Sequence, residues 1–374
     1  IFKELERATV REETDWDWRL EELGGTEAIT FLLPEIQDAR ELARLLHLKA
    51  RLEIAEGRFD DAEKTLRTGF ALARAVAEPP TLINDLVGVA IASIMGAAVR
   101  DWIDAPGSPN VYWAVAALPD PFIDLRPALE YELAFPVRFA PWLAEAETDD
   151  APPEVWRDRF ATLLGELGSV MGPAGLTDGT LPQQAIPTYL TFVALRSYPA
   201  AKAALIARGY DARRVEAMPV GQVLAIQQKY VDELIAGESL KALLVPAAEA
   251  DEVGEQAERL LRQRGLFDRP TPQAGEPIPL MSLLAPATRQ AVRAGVRSAA
   301  RHAGLRTIEA IRMHAATGSL PESLDAIDVV PVPRNPVTGE PFPYRLEGET
   351  AVLDVVADPL SPRANWRVEI TLEK

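Results

Sequence analysis

The 374-residue chain sets 39 Lys and Arg against 56 Asp and Glu, a formal charge of −17, with 48% hydrophobic residues. That supports one elongated body or roughly two to three domains, and such acidity argues against contact with the phosphate backbone of nucleic acids. The lack of cysteine excludes disulfides, thiolate metal sites, iron–sulfur clusters and cysteine nucleophiles; the three histidines, His47, His302 and His314, fall on separate segments, so no metal site and no cofactor is expected.

In chain order, residues 1–11 have a helical charge pattern, followed by Asp15, Trp16, Asp17 and Trp18 and a break at Gly24-Gly25. From Pro34 the apolar spacing is helical, with Leu42, Leu45, Leu46, Leu48, Leu52 and Ile54 on one face, ending near Gly57. Phe59 restarts a second helix through Leu66, Phe70, Leu72 and Ala75. Thr81 caps a third behind Pro79-Pro80. The longest uncharged apolar run, 86–99, is too short to cross a bilayer and predicts a buried helix, so no membrane span is expected.

Further helices are predicted at 110–117, 125–147, 153–167, 188–209, 211–217, 220–236 and 247–264, with Gly/Pro-rich loops at 168–187 and 265–279. A long helix follows over 286–317, interrupted near Gly304. "PVPRNPVTGEPFPYR" (331–345) then bars helix and central strand, with Gly339 in a tight turn at positive φ. Three short β-branched segments, the last alternating through Trp366, Val368, Ile370 and Leu372, predict an antiparallel meander. The fold class is therefore mainly α: a helical-hairpin body with a small C-terminal antiparallel β unit. The regions expected are 1–167, 188–317 continuous with it across a loop, and 318–374.

Ala50, Gly57, Phe59, Ala62 and Leu66 stand at the spacing of a tetratricopeptide repeat, and the hairpin 42–76 resembles one. Leu46 takes the repeat's tryptophan position, Glu53 its tyrosine, and Gly69 a late alanine; no second copy follows at that period. Farther on, Gly318, Leu320, Pro321, Leu324, Asn335, Pro336, Gly339, Pro341, Phe342 and Tyr344 make residues 308–358 similar to the C-terminal part of type II secretion pseudopilins. That resemblance implies a local fold only, because "ADPLSPRANW" does not match the pseudopilin calcium loop. As a whole, through "LLPEIQDARELARLL", "PTLINDLVGVAIAS", Met218-Pro219 and "NPVTGEPFPYR", the chain resembles a family of uncharacterised helical proteins abundant in planctomycete genomes. Members often begin with an export or anchor segment. That fits a chain starting at Ile1 without methionine, with an anchor upstream, and points toward an extracytoplasmic place in the cell envelope.

Three groups of side chains are candidate sites. Asp15, Trp16, Asp17 and Trp18 have the make-up of a glycan-contacting surface, where rings stack on sugars and paired acids hydrolyse glycosides; the plainer reading is that the tryptophans anchor the N-terminal segment. Arg289, Arg293, Arg297 and Arg301, four residues apart, form a helical stripe fit for an anion or an acidic partner. The plainer reading pairs them with Glu249, Asp251, Glu252, Glu255 and Glu258. Asp354 and Asp358 offer a weak cation site, more simply read as turn chemistry. No Gly-x-Ser-x-Gly elbow, P-loop or dinucleotide fingerprint is present. The helical hairpin and the resemblance to the pseudopilin end favour a non-catalytic scaffold or protein-interaction protein, with a protein partner or self-association. The alternatives are a carbohydrate-active or other hydrolytic enzyme using Asp/Glu pairs, and an anion-ligand binding protein.

Overall fold

The computed structural model of the chain describes residues 1–8, 11, 14, 16–20, 34–176, 185–264, 285–358 and 361–372. After a short helix α1 (Phe2–Ala8), helices α2 (Pro34–Ala55) and α3 (Phe59–Val76) form the expected hairpin, and α4 (Leu82–Asp104) packs against both. Gly57 makes the turn at φ +70°, a conformation costly for any residue with a Cβ. Small residues set the helix spacing: Ala50 and Ala62 are fully buried, and a Cβ on Gly88 would stand 2.7 Å from the Ala73 carbonyl oxygen. Leu46, Ile54, Leu66, Phe70, Ile91 and Met95 fill the space between the three helices, each contributing about 1.5–3 kcal/mol by burial. Glu53 is buried too, and its carboxylate accepts from the Thr65 hydroxyl at 2.7 Å and from Lys49. A polar bridge thus joins α2 to α3 where the repeat would place a tyrosine. The apolar face expected on α2 divides: Leu46 and Ile54 are buried, whereas Leu45, Leu48 and Leu52 are 47%, 60% and 56% exposed.

Helix α5 (Tyr112–Ala116) falls within the predicted 110–117 helix, whereas the single helix expected over 125–147 is broken into α6 (Arg126–Leu133), α7 (Phe135–Phe139) and a 3-10 turn Pro141–Leu143. Pro136 and Pro141 cause the breaks, since each lacks the N–H that a continuing helix needs. Helix α8 (Pro153–Leu176) runs past the expected end and takes up the start of the predicted 168–187 loop. With α9 (Ile186–Ala207), α10 (Ala212–Ala217) and α11 (Val220–Leu240) it encloses a second core of Phe135, Phe139, Trp156, Leu205, Val223 and Ile226. Helix α12 (Ala247–Gln263) follows; the predicted loop 265–279 lies outside the described residues.

Helix α13 (Ala285–Ala315) is continuous through Gly304 rather than interrupted there. The glycine serves contact instead: a Cβ at 304 would meet Val355 Cγ1 at 2.6 Å and Trp366 at 3.4 Å. These belong to the meander β1 (Tyr344–Glu347), β2 (Thr350–Val355) and β3 (Trp366–Thr371), antiparallel in the order β1-β2-β3 with Tyr344 opposite Leu353 and Leu353 opposite Val368. The 331–345 loop joins helix to sheet as its prolines demand. Gly339 takes φ +72°, and buried Asn335 donates to the Val356 carbonyl at 2.9 Å.

The expectation of no membrane span is also overturned. Helix α4 is long and apolar enough to cross a membrane by length and composition, although the sequence reading found no span. That reading counted only the uncharged run 86–99. The helix extends to 23 residues because charged Asp85, Arg100 and Asp101 sit near its ends without stopping it. In this fold, 61% of its most apolar window is buried, against α2, α3 and α13.

The contact at Gly304 is testable. Gly304→Ala improves intrinsic helix propensity, yet it should destabilise the protein by about 1–3 kcal/mol through overpacking against Val355, read as a lowered urea midpoint. An unchanged or raised midpoint would show that the sheet does not press on α13 there.

Candidate functional site

The arginine stripe lies on α13, which helix α12 flanks on one side and the β unit on another. Each four-residue step advances about 40° beyond a full turn, so three steps carry the stripe through roughly a third of the helix circumference. Its two ends therefore face different neighbours. Arg289 reaches Glu258 at 2.9 Å, Glu255 at 3.1 Å and Asp251 at 3.4 Å. Arg293 grips Asp251 with two parallel N–H donors, at 2.7 and 2.9 Å. Arg297 pairs with Asp358 at 3.4 Å. Arg301 instead donates to the Ser93 hydroxyl at 3.1 Å.

The Arg293 guanidinium holds the Asp251 carboxyl below the usual carboxylate range. Of the five acids considered as partners for the stripe, Asp251, Glu255 and Glu258 pair with it, and Asp358, considered separately, pairs as well. Between α12, α13 and the loop around Val337 lies a cavity of about 310 Å³. Ala250, Gly254, Ala257, Leu261, Val292 and Val296 make it apolar, with the Arg–Asp pairs along its rim. It holds no histidine among the described residues, and its apolar lining can seat an apolar group beside the Arg–Asp pairs.

At the N-terminus, Trp16 donates its indole N–H to the Ala75 carbonyl at 3.0 Å, and its ring lies 4.9 Å from that of Trp18. Both rings pack against the α2–α4 core. Asp17 is exposed with φ +48°, 3.5 Å from Arg19; Asp15 lies outside the described residues. Asp354 sits between Arg367 at 2.7 Å and Arg345 at 3.1 Å, and Asp358 faces Arg297. Among the described residues there is no group of three or more His, Asp and Glu able to hold a metal ion.

Sequence reasoning did not single out Asp85, in the first turn of α4. It is 2% exposed, one carboxyl oxygen has no hydrogen-bond partner, and burial, reinforced by Asp124, pushes its pKa up to about 8. Asp124 itself is held low by Arg126. Two acids in unlike environments are the ingredient of acid–base catalysis, but Asp85 is closed off from solvent. Its only sequence signal was an acid inside the apolar period of α4.

Asp85 makes a pH prediction. Its folded pKa lies above its unfolded value of 3.8, so its contribution is fully present below that value and is lost as pH rises toward and through about 8. Asp85→Asn should match the wild type near pH 4 and exceed it by a few kcal/mol above pH 8, measured by urea unfolding across the range. A constant difference between the two proteins would show that Asp85 is ionised in the fold.

The chain is a mainly α protein without cysteine, and no family model, curated protein or solved structure matches it.

Proposed function

We propose that this protein is a non-catalytic scaffold of the cell envelope that binds a partner protein through the outer face of α2. The observation that carries the reading is the leucine stripe of Leu45, Leu48 and Leu52. Positions i, i+3 and i+7 fall within about 60° of one another on a helix, and all three side chains are exposed. Single exposed leucines need no explanation, whereas an aligned set on one helix face suits an apolar helix laid alongside it. Behind the stripe, α2 packs against α3 and α4. The charge clusters support the non-catalytic part: most of the stripe arginines and Asp354 are engaged within the chain. Placement in the envelope is supported by the likeness to the planctomycete family.

A photo-reactive residue at position 48 should give one discrete cross-linked species in intact cells, abolished when Leu45 and Leu52 are both replaced by Glu. A residue at exposed Glu216, far along the chain, is the control. The same adducts from both positions, or none from position 48, would contradict the reading.

A further inference from the structure

The far end of the arginine stripe opens on a second cavity, of about 140 Å³, between α4, the middle of α13 and the start of β3. Three guanidinium groups line it from three separate elements: Arg100 from the C-terminal end of α4, Arg301 from α13, and Arg363 from the 3-10 turn Pro362–Ala364. Ser93, Ser298 and Trp366 complete its polar wall. No carboxylate is among the described residues that line it, in a chain whose acids outnumber its bases. Arg100 and Arg363 make no ion pair with a described residue, and Arg301 has only the Ser93 hydroxyl. The three arginines of the stripe nearer its start each pair with at least one acid, whereas those at this cavity make no such pair among the described residues.

Two further features point to an anion there. The Trp366 indole N–H is buried and has no hydrogen-bond partner, and a buried donor left unsatisfied costs free energy unless an acceptor comes to it. Its ring also lies 5.2 Å from the Arg100 guanidinium, which holds that side chain in place over the aromatic face. His302 on the same wall is half-buried beside Phe70 and Phe122, and desolvation pushes it down to about 4, so it adds no charge near neutral pH. Arg301 is itself pulled down, by burial first and then by Arg297 and Arg100, the direction expected where like charges gather without a counter-ion.

We infer that this cavity binds a phosphate-type oxyanion, free or as the head group of a larger molecule. Donors converging from three directions suit a tetrahedral group better than a planar carboxylate, which one bidentate arginine satisfies. The space accommodates several water molecules, hence one such anion and no extended chain within it. The site is distinct from the α12–α13 cleft and from the leucine face of α2, and it stands whether or not α2 binds a partner.

Isothermal titration at constant ionic strength, with sodium phosphate, sodium sulfate, glycerol 3-phosphate and sodium acetate, tests this. Phosphate and sulfate should bind at one site and acetate should not. Tighter binding of glycerol 3-phosphate than of phosphate identifies the head group of a larger molecule as the ligand; equal or weaker binding identifies the free ion. Arg100→Gln and Arg363→Gln alter exposed side chains, so the fold is kept, and each should weaken binding roughly tenfold through loss of a charge-assisted hydrogen bond. Arg289→Gln, at the other end of α13, should leave binding unchanged. Absence of heat with both phosphates and sulfate at millimolar concentration, or binding that survives Arg100→Gln and Arg363→Gln, would overturn the assignment.

Discussion

Helix α13 is the wall that separate parts of this molecule share, and the fold depends on its fitting all of them at once. Ala291 and Val292 belong to the cluster built around Leu125 and Leu129, Leu305 to the α2–α4 core, and Ile308 and Ile311 to the core beneath the sheet. A helix hydrophobic on several sides must still carry its polar residues somewhere. Here they are locked in place. Glu309, with no exposed surface, accepts from Arg312 at 2.6 Å and from the Val111 N–H at 3.3 Å, while its own carbonyl accepts from Asn110. A buried carboxylate is tolerable only with such partners, and these tie α13 to the segment after α4. Gly304 then brings the sheet close enough for Val355 and Trp366 to seal the other side.

This placement divides the arginines. Where α13 runs beside α12, the surplus acid of the chain reaches it and the guanidinium groups are neutralised. Past Arg297 the neighbours change to α4 and β3, which offer hydroxyls and an indole in place of carboxylates. The electrostatic character of α13 is therefore set by what packs against each arc of it. One helix supplies both an internal ion-pair ladder and a cationic cavity.

Much of the architecture was legible in the sequence because its signals are local. The 3.6-residue period, Gly57, the Thr81 cap and the alternation of 366–372 identify the hairpin, the α4 start and the meander. The breaks at Pro136 and Pro141 were legible too, since a proline ends a helix locally, yet 125–147 was expected as one helix. The Gly304 contact was not, since a glycine inside a helix signals either a weak point or a close neighbour, and only the docked sheet decides which. Likewise the length of α4 was underestimated by counting uncharged residues, when helices carry charges at their ends. For the sites, the four arginines were recognisable as a stripe, and Asp251, Glu255 and Glu258 as its partners. Arg100 and Arg363 lie some 200 and 60 residues from Arg301 in sequence; no spacing rule joins them, and only tertiary packing does.

If α13 is the shared wall, the helical body and the sheet cannot open separately. Native-state hydrogen exchange measures this directly. Amides at 305–311 in α13 and at 351–355 in β2 should exchange with the same free energy and the same denaturant dependence, by whole-molecule unfolding. Exchange of the β2 amides at a clearly lower free energy, with α13 still protected, would show that the sheet is an appendage and contradict the account.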